Sequence, residues 1–249
     1  MQISKRIKIL NCEIDDISLA EAVSRALELS RERNGAYVVT PNTQIVLDAG
    51  KNERLREAIN ASDISLPDGA GVVIASRIIG TPVRARIAGI DFAAKLLAAL
   101  SSRGGSVFLF GGRNGTAELA AKKLACFYPG LVVSGCCGGF FDEDEERVLI
   151  SAINAVSPDF LLVCLGSPKQ ELWMRAHAGK LEVGLMAGLG GTIDVFAGKV
   201  RRAPMIWQML GLEWLYRTAK EPRRIVKAVK LPQIIPASVR QRIGRKRTK

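Results

Sequence analysis

Histidine is almost missing from this 249-residue chain: His177 stands alone, with no cysteine or acid at ligand spacing. That leaves little material for metal or His-based catalysis, and His177 is expected to be a surface or helix residue. Cysteine is scarce as well. Cys12, Cys126, Cys136, Cys137 and Cys164 are odd in number, lack a CxxC pair and sit in apolar runs. They read as reduced core residues, not a disulfide framework or zinc site. No apolar run approaches the ~20 residues that a membrane-spanning helix needs. The start, MQISKRIKILNCEIDD, reaches acid before a signal-length apolar stretch forms, so a cytosolic protein is expected. What is present is a 48% hydrophobic composition, enough to bury a substantial core.

Charge is the next feature, and its location matters more than its sum. The net charge is +12, yet residues 1–200 balance 22 bases against 22 acids. The whole excess lies in 201–249, with fourteen Lys and Arg against two acids, Glu213 and Glu221. A neutral body with one basic segment points to a partner surface at that end. We therefore divide the chain into a body, 1–200, and a C-terminal appendage, 201–249.

Along the body, apolar β-branched runs alternate with helical patterns. IKIL, AYVVT, DISL, SVFLFGG, LVVSG, DFLLVCLG and VGLMAGLGG read as strands. Ser18-Leu-Ala-Glu21 is a capping box that opens a helix to about Ser30. Further helices are expected from Thr43 through Ile59, over VVIASRIIG, over FAAKLLAALSSRG with Asp91 as cap, and from Gly115 to Phe127. Two more cover FDEDEERVLISAINAV and PKQELWMRAHAG. Alternating β and α with continuously apolar strands implies an α/β, Rossmann-like parallel sheet with helices on both faces.

In such sheets, ligands bind outside the carboxyl ends of the strands, where every βα connection lands. Five strands here end in small or functional residues: Thr40 and Asn42, Asp68-Gly69, Gly111-Gly112-Arg113-Asn114-Gly115, Gly166 to Glu171, and Gly190 to Asp194. If all five are parallel, these residues share one rim. Pro67-Asp68-Gly69 is ordinary turn chemistry taken alone; on a rim, its carboxylate also faces a ligand.

FLFGGRNGTAE puts glycines between a buried strand and a helix N-terminus, a geometry that suits phosphate. It does not match GxGxxG, and LVVSG carries no acid at its tip for a ribose hydroxyl, which argues against a dinucleotide site. In LGSPKQE, Lys169, Gln170 and Glu171 crowd a helix start and offer hydrogen bonds to a polyhydroxylated ligand; a solvated first turn is the alternative. Asp142-Glu143-Asp144 has the acid-x-acid form of a sugar-transferase metal motif, but its position in a helix's first turn makes capping the better account.

In the appendage, MIWQMLGLEWLY is apolar and aromatic, too short to span a membrane and suited to an interface. From Pro222 a helix can restart. At 100° per residue, Ile225, Val226, Ala228 and Val229 lie on one face and Arg223, Arg224, Lys227 and Lys230 on the other. That is the pattern of a helix lying on an anionic membrane surface. Nucleic acid is a poor fit, because the aromatics fall outside the basic run.

Taken in order, TPNTQIV, LPDGAGVV, RIAGIDF, VFLFGG, YPGL, LGSPKQELW, GLGGTIDVFAGKVRRAP and GLEWLYRTAKEPRR resemble the WecG/TagA/CpsF family of bacterial glycosyltransferases, from about Ala36 to Arg224. The resemblance implies an inverting, metal-independent enzyme without cofactor. It would move N-acetylmannosamine from a UDP-sugar to N-acetylglucosamine on a polyprenyl diphosphate, at the cytoplasmic membrane face, as in wall teichoic acid linkage synthesis. Other members imply a mannosaminuronic acid or glucose donor instead. By motif, Asp68 matches the proposed general base, with Thr40 and Asn42 beside it. Arg86 matches a diphosphate contact and Gln170 a sugar-nucleotide contact. Arg217, Arg224 and Lys227 fall on basic positions of an appendage thought to close over the site; lysine in place of arginine at the last keeps the charge but not the bidentate fork.

Inversion needs one carboxylate to take the acceptor hydroxyl's proton opposite the departing UDP. It also needs cations or N–H dipoles at the leaving diphosphate. Asp68 supplies the first; Gly111, Gly112, Lys169, Glu171, Asp194 and the appendage arginines are candidates around it. A Rossmann-type oxidoreductase and a basic-tailed lipid- or nucleic-acid-binding scaffold are the rival readings. A homo-oligomer is compatible with either class.

Overall fold

A computed structural model describes residues 5–209, 212–220 and 231–247. Six strands form one all-parallel sheet in the order β4-β3-β8-β7-β5-β6. They are β3 (Ala36–Val39), β4 (Ile64–Ser65), β5 (Ser106–Gly111), β6 (Val132–Cys137), β7 (Phe160–Cys164) and β8 (Leu185–Gly188). The apolar runs are continuous because both faces are covered. Phe160, Leu162, Val107 and Leu109 point into one core with α1 (Leu19–Glu32), α5 (Gly89–Ser101), α6 (Thr116–Phe127) and α9 (Thr192–Phe196). Leu161, Val163, Phe108 and Phe110 point the other way. There they meet α2 (Thr43–Ala49), α3 (Glu53–Asn60), α4 (Ala70–Ile79), α7 (Glu143–Val156) and α8 (Lys169–His177).

Before this sheet lies an antiparallel hairpin, β1 (Arg6–Ile9) and β2 (Cys12–Asp15). The second strand was not expected. Its last residue fastens it: Asp15 is fully buried, accepts a hydrogen bond from the Ser65 amide at 2.7 Å and pairs with Arg6 and Arg25 at 3.4 and 3.9 Å.

Local chemistry explains where other elements depart from expectation. The single helix read from Thr43 to Ile59 is two, because Asn52 caps a new start, its Oδ1 accepting from the Leu55 amide at 3.1 Å. Asp91 is not a cap; α5 begins at Gly89 with Ala88 in the cap position, and Asp91 lies in the first turn. Cys126 is exposed rather than in the core, and Cys136 and Cys137 are only half-buried. The Ser18–Glu21 capping box is present. Asp142 likewise caps α7, its carboxylate accepting from the Asp144 and Glu145 amides at 3.0 and 2.9 Å, so its oxygens serve the helix. His177 ends α8, half-buried with its ring 4.3 Å from that of Trp173.

After residue 200 come two short helices, α10 (Met205–Met209) and α11 (Glu213–Lys220), and a final helix, α12 (Ile234–Arg247). That last helix docks on the body. Ile234 and Ser238 are buried, Gln241 holds both the Leu10 amide (2.7 Å) and the Lys8 carbonyl (3.0 Å), and Arg242 reaches the Ile78 carbonyl at 3.2 Å. The basic-faced helix expected from Pro222, with Arg224 and Lys227, lies outside the described residues. Among the described residues, no helix is long and apolar enough to cross a membrane.

Candidate active site

Because every strand of the sheet is parallel, the five strand ends singled out in the sequence lie at one edge. At that edge is a cleft of about 530 Å³. Asn42, Asp68, Arg86, Thr192 and Glu213 are among its polar lining residues, and Ile74, Leu212, Trp214, Pro232 and Ile235 among its apolar ones.

Asp68 reaches the cleft through a turn pinned on both sides. The Asp68 amide donates to the Pro41 carbonyl (3.2 Å), and the Pro67 carbonyl accepts from the Ile87 amide (2.9 Å). Gly69 then takes φ 90°, where a side chain would be strained, and opens α4. Two residues further, a Cβ at Gly71 would collide with the Thr43 hydroxyl, so glycine lets the starts of α2 and α4 meet beside the cleft. The turn thus fixes the backbone and presents the carboxylate, whose side chain is 27% exposed.

Positive charge stands next to it. Arg86 Nε lies 3.8 Å from Asp68 Oδ1, while Nη2 donates to Glu213 Oε2 at 2.9 Å and Nη1 to the Gln208 carbonyl at 3.2 Å. Arg202 forks onto Asp91 at 2.5 and 2.7 Å and sits 4.0 Å from Glu213 Oε1. The carboxylates around it, Asp91 first, hold the Arg202 guanidinium above its ordinary basicity. Arg202, Asp91 and Glu213 were not recognised as site residues from the sequence. Glu213 left a signal there: it is one of two acids in a strongly basic segment.

The other expected residues fall into three groups. Asn42 lines the cleft and also caps α2, accepting from the Ile45 amide at 3.1 Å. Thr40 and Gln170 are buried behind it and brace the end of β8: Thr40 Oγ1 donates to the Gly188 carbonyl (2.9 Å), and Gln170 Oε1 accepts from the Gly190 amide (3.0 Å). Glu171 is buried too, accepting from Gln170 Nε2 at 2.9 Å, and burial pushes its carboxyl above the ordinary range. Outside the lining lie Gly111, Gly112, Lys169 and Asp194. A Cβ at Gly111 would strike the Cys164 carbonyl, and the Gly112 amide already donates to that carbonyl at 3.1 Å. These glycines allow β5 and β7 to close. Lys169 lies 3.8 Å over the Phe141 ring, and the Asp194 carbonyl accepts from the Lys199 and Val200 amides. Arg217 belongs to α11, its side chain outside the described residues, as are Arg224 and Lys227.

An α/β body built on an all-parallel six-stranded sheet thus carries a cleft at its carboxyl edge, with a carboxylate at the cleft and two arginines near it, an arrangement suited to binding a ligand there. Residues 7–248 match the glycosyl transferase WecG/TagA/CpsF family, and the chain belongs to that family. It is similar to the N-acetylglucosaminyldiphosphoundecaprenol N-acetyl-beta-D-mannosaminyltransferase of Bacillus spizizenii, 32% identical over 206 residues, 83% of this chain and 79% of that one. The enzyme of the same name from Staphylococcus aureus is 32% identical over 229 residues, 91% of this chain and 89% of its own. The protein is a glycosyltransferase.

Proposed function

We propose that this glycosyltransferase moves N-acetylmannosamine from UDP-N-acetylmannosamine to the N-acetylglucosamine of a polyprenyl diphosphate, with Asp68 as general base. The relatives' names supply the sugar and the acceptor. The observation that carries the chemistry is the Asp68 carboxylate, held by a turn at the cleft beside Arg86. In the reaction, the acceptor hydroxyl oxygen bonds to the anomeric carbon as the bond from that carbon to the UDP oxygen breaks. The hydroxyl proton passes to Asp68, and the electron pair leaves with UDP. Attack opposite the leaving group inverts the centre, which turns an α-linked donor into the β linkage in the relatives' names.

Negative charge grows on the departing diphosphate, where preorganised cations stabilise the transition state. Arg86, beside Asp68 at the cleft, is the candidate for that role, and the appendage arginines are further candidates. Among the described residues, no three His, Cys, Asp or Glu side chains gather as a metal site. The apolar walls of the cleft and the basic appendage fit an acceptor carried at an anionic membrane surface. The test is release of UDP from UDP-N-acetylmannosamine with a polyprenyl-diphosphate-linked N-acetylglucosamine acceptor. Turnover with this donor and not with UDP-glucose or the uronate supports the reading; turnover with another donor alone refutes the assigned sugar.

A further inference from the structure

Glu171 is 1% exposed, and Gln170 before it is 3% exposed. Both stand behind the cleft rather than in its lining. A buried carboxyl is unfavourable unless it is hydrogen-bonded. Here the bond goes to the neighbouring side chain: Gln170 Nε2 donates to Glu171 Oε1 at 2.9 Å. At the other end of the same carboxamide, Gln170 Oε1 accepts from the Gly190 amide at 3.0 Å. One side chain thus links the start of α8 to the turn that follows β8.

The order of these bonds matters. A carboxamide can be turned over, which exchanges its donor and acceptor ends. A carboxylate accepts and does not donate, so Glu171 selects the orientation with Nε2 toward itself. Oε1 is then left facing the Gly190 amide. Reversed, the carboxamide would set N–H against N–H at Gly190 and oxygen against oxygen at Glu171. The packing is close: a Cβ at Gly188 would lie 3.1 Å from Gln170 Nε2 and 2.7 Å from Met174 Cε.

The turn held in this way serves the cleft. Leu189, Gly191 and Thr192 all line it. Thr192 closes the turn on itself, its amide and hydroxyl donating to the Leu189 carbonyl at 3.2 and 2.7 Å. The Gly190 amide, by contrast, reaches out of the turn to α8.

We propose that Glu171 is a positioning residue for the transfer reaction: by orienting the Gln170 carboxamide it fixes the Gly190 amide, and so sets where Gly191 and Thr192 stand at the cleft. It acts without reaching the cleft itself. The effect on turnover rests on the transferase reading; the effect on the turn does not.

Amide exchange followed by NMR, together with steady-state kinetics, tests this on the full chain. Glu171→Met fills similar space without an acceptor. In that variant the Gly190 amide exchanges faster on the order of tenfold, and kcat/KM for the UDP-sugar falls on the order of tenfold or more. Glu171→Gln, whose carbonyl can still accept from Gln170 Nε2, recovers both to within about threefold of wild type. Should Glu171→Met not fold, Glu171→Asp, which withdraws the carboxyl by one methylene, shows the same two changes in smaller measure. Unaltered Gly190 exchange in the folded variant overturns the proposal, even where Tm falls. So does faster exchange with unchanged kcat/KM, and so does failure of Glu171→Gln to recover. Absence of turnover by the wild type refutes the transferase reading, and Gly190 exchange then decides the link from Glu171 to the turn by itself.

Discussion

Arg86 and Glu213 meet at 2.9 Å although 127 residues of chain separate them, and their contact joins the neutral body to the basic appendage. Arg86 leaves the βα region after Asp68, and Glu213 opens α11. The pair therefore brings the C-terminal segment to the same edge of the sheet as the Asp68 carboxylate.

Replacing Arg86 with lysine tests what this junction requires. Lysine keeps one charge but cannot reach Glu213 and the Gln208 carbonyl together while facing Asp68. Steady-state kinetics of Arg86→Lys are expected to show kcat/KM lower on the order of a hundredfold. A variant within threefold of wild type contradicts the role given to the fork.

Thr40 separates bracing from substrate contact. Its hydroxyl is buried and donates to the Gly188 carbonyl at 2.9 Å. Thr40→Val leaves that carbonyl without its partner and costs about 1–2 kcal/mol, a fall in Tm of a few degrees. Thermal denaturation measures it. An unchanged Tm with a raised KM assigns the hydroxyl to substrate instead.

Glu171 predicts a pH dependence. Burial raises its carboxyl above the ordinary value of 4.5, so the folded protein holds this proton more tightly than the unfolded chain does. Its contribution to stability is complete below the unfolded value and declines as pH rises from there through the folded value. Glu171→Gln has no proton to lose. The difference in Tm, variant minus wild type, should grow in the variant's favour as pH rises above the ordinary carboxylate value. A flat difference refutes the assignment.

The parallel sheet and its rim were legible in the sequence because both rest on local signals. Continuous apolar strands such as FLLVC mark burial on two faces, and Pro-Asp-Gly marks a turn whatever follows. What the chain hid was long-range. The hairpin's second strand depends on a buried carboxylate, Asp15, finding the Ser65 amide fifty residues away. Asp91 looked like a cap because acids favour helix starts; its partner, Arg202, lies 111 residues on. Gly111 and Gly112 looked like a phosphate loop, yet the close approach of β5 to β7 needs glycine at the same place. In each case one residue type serves two purposes, and only the fold tells which.

The base is the centre of the account, and Asp68→Asn tests it most directly. The change preserves shape and turn, so the cleft stays formed while the carboxylate loses its capacity to take a proton. UDP release with UDP-N-acetylmannosamine and the lipid-linked N-acetylglucosamine acceptor should fall on the order of 10²–10⁴-fold in kcat with UDP binding retained. Turnover equal to wild type by a folded variant would return Asp68 to being a turn residue and contradict the mechanism.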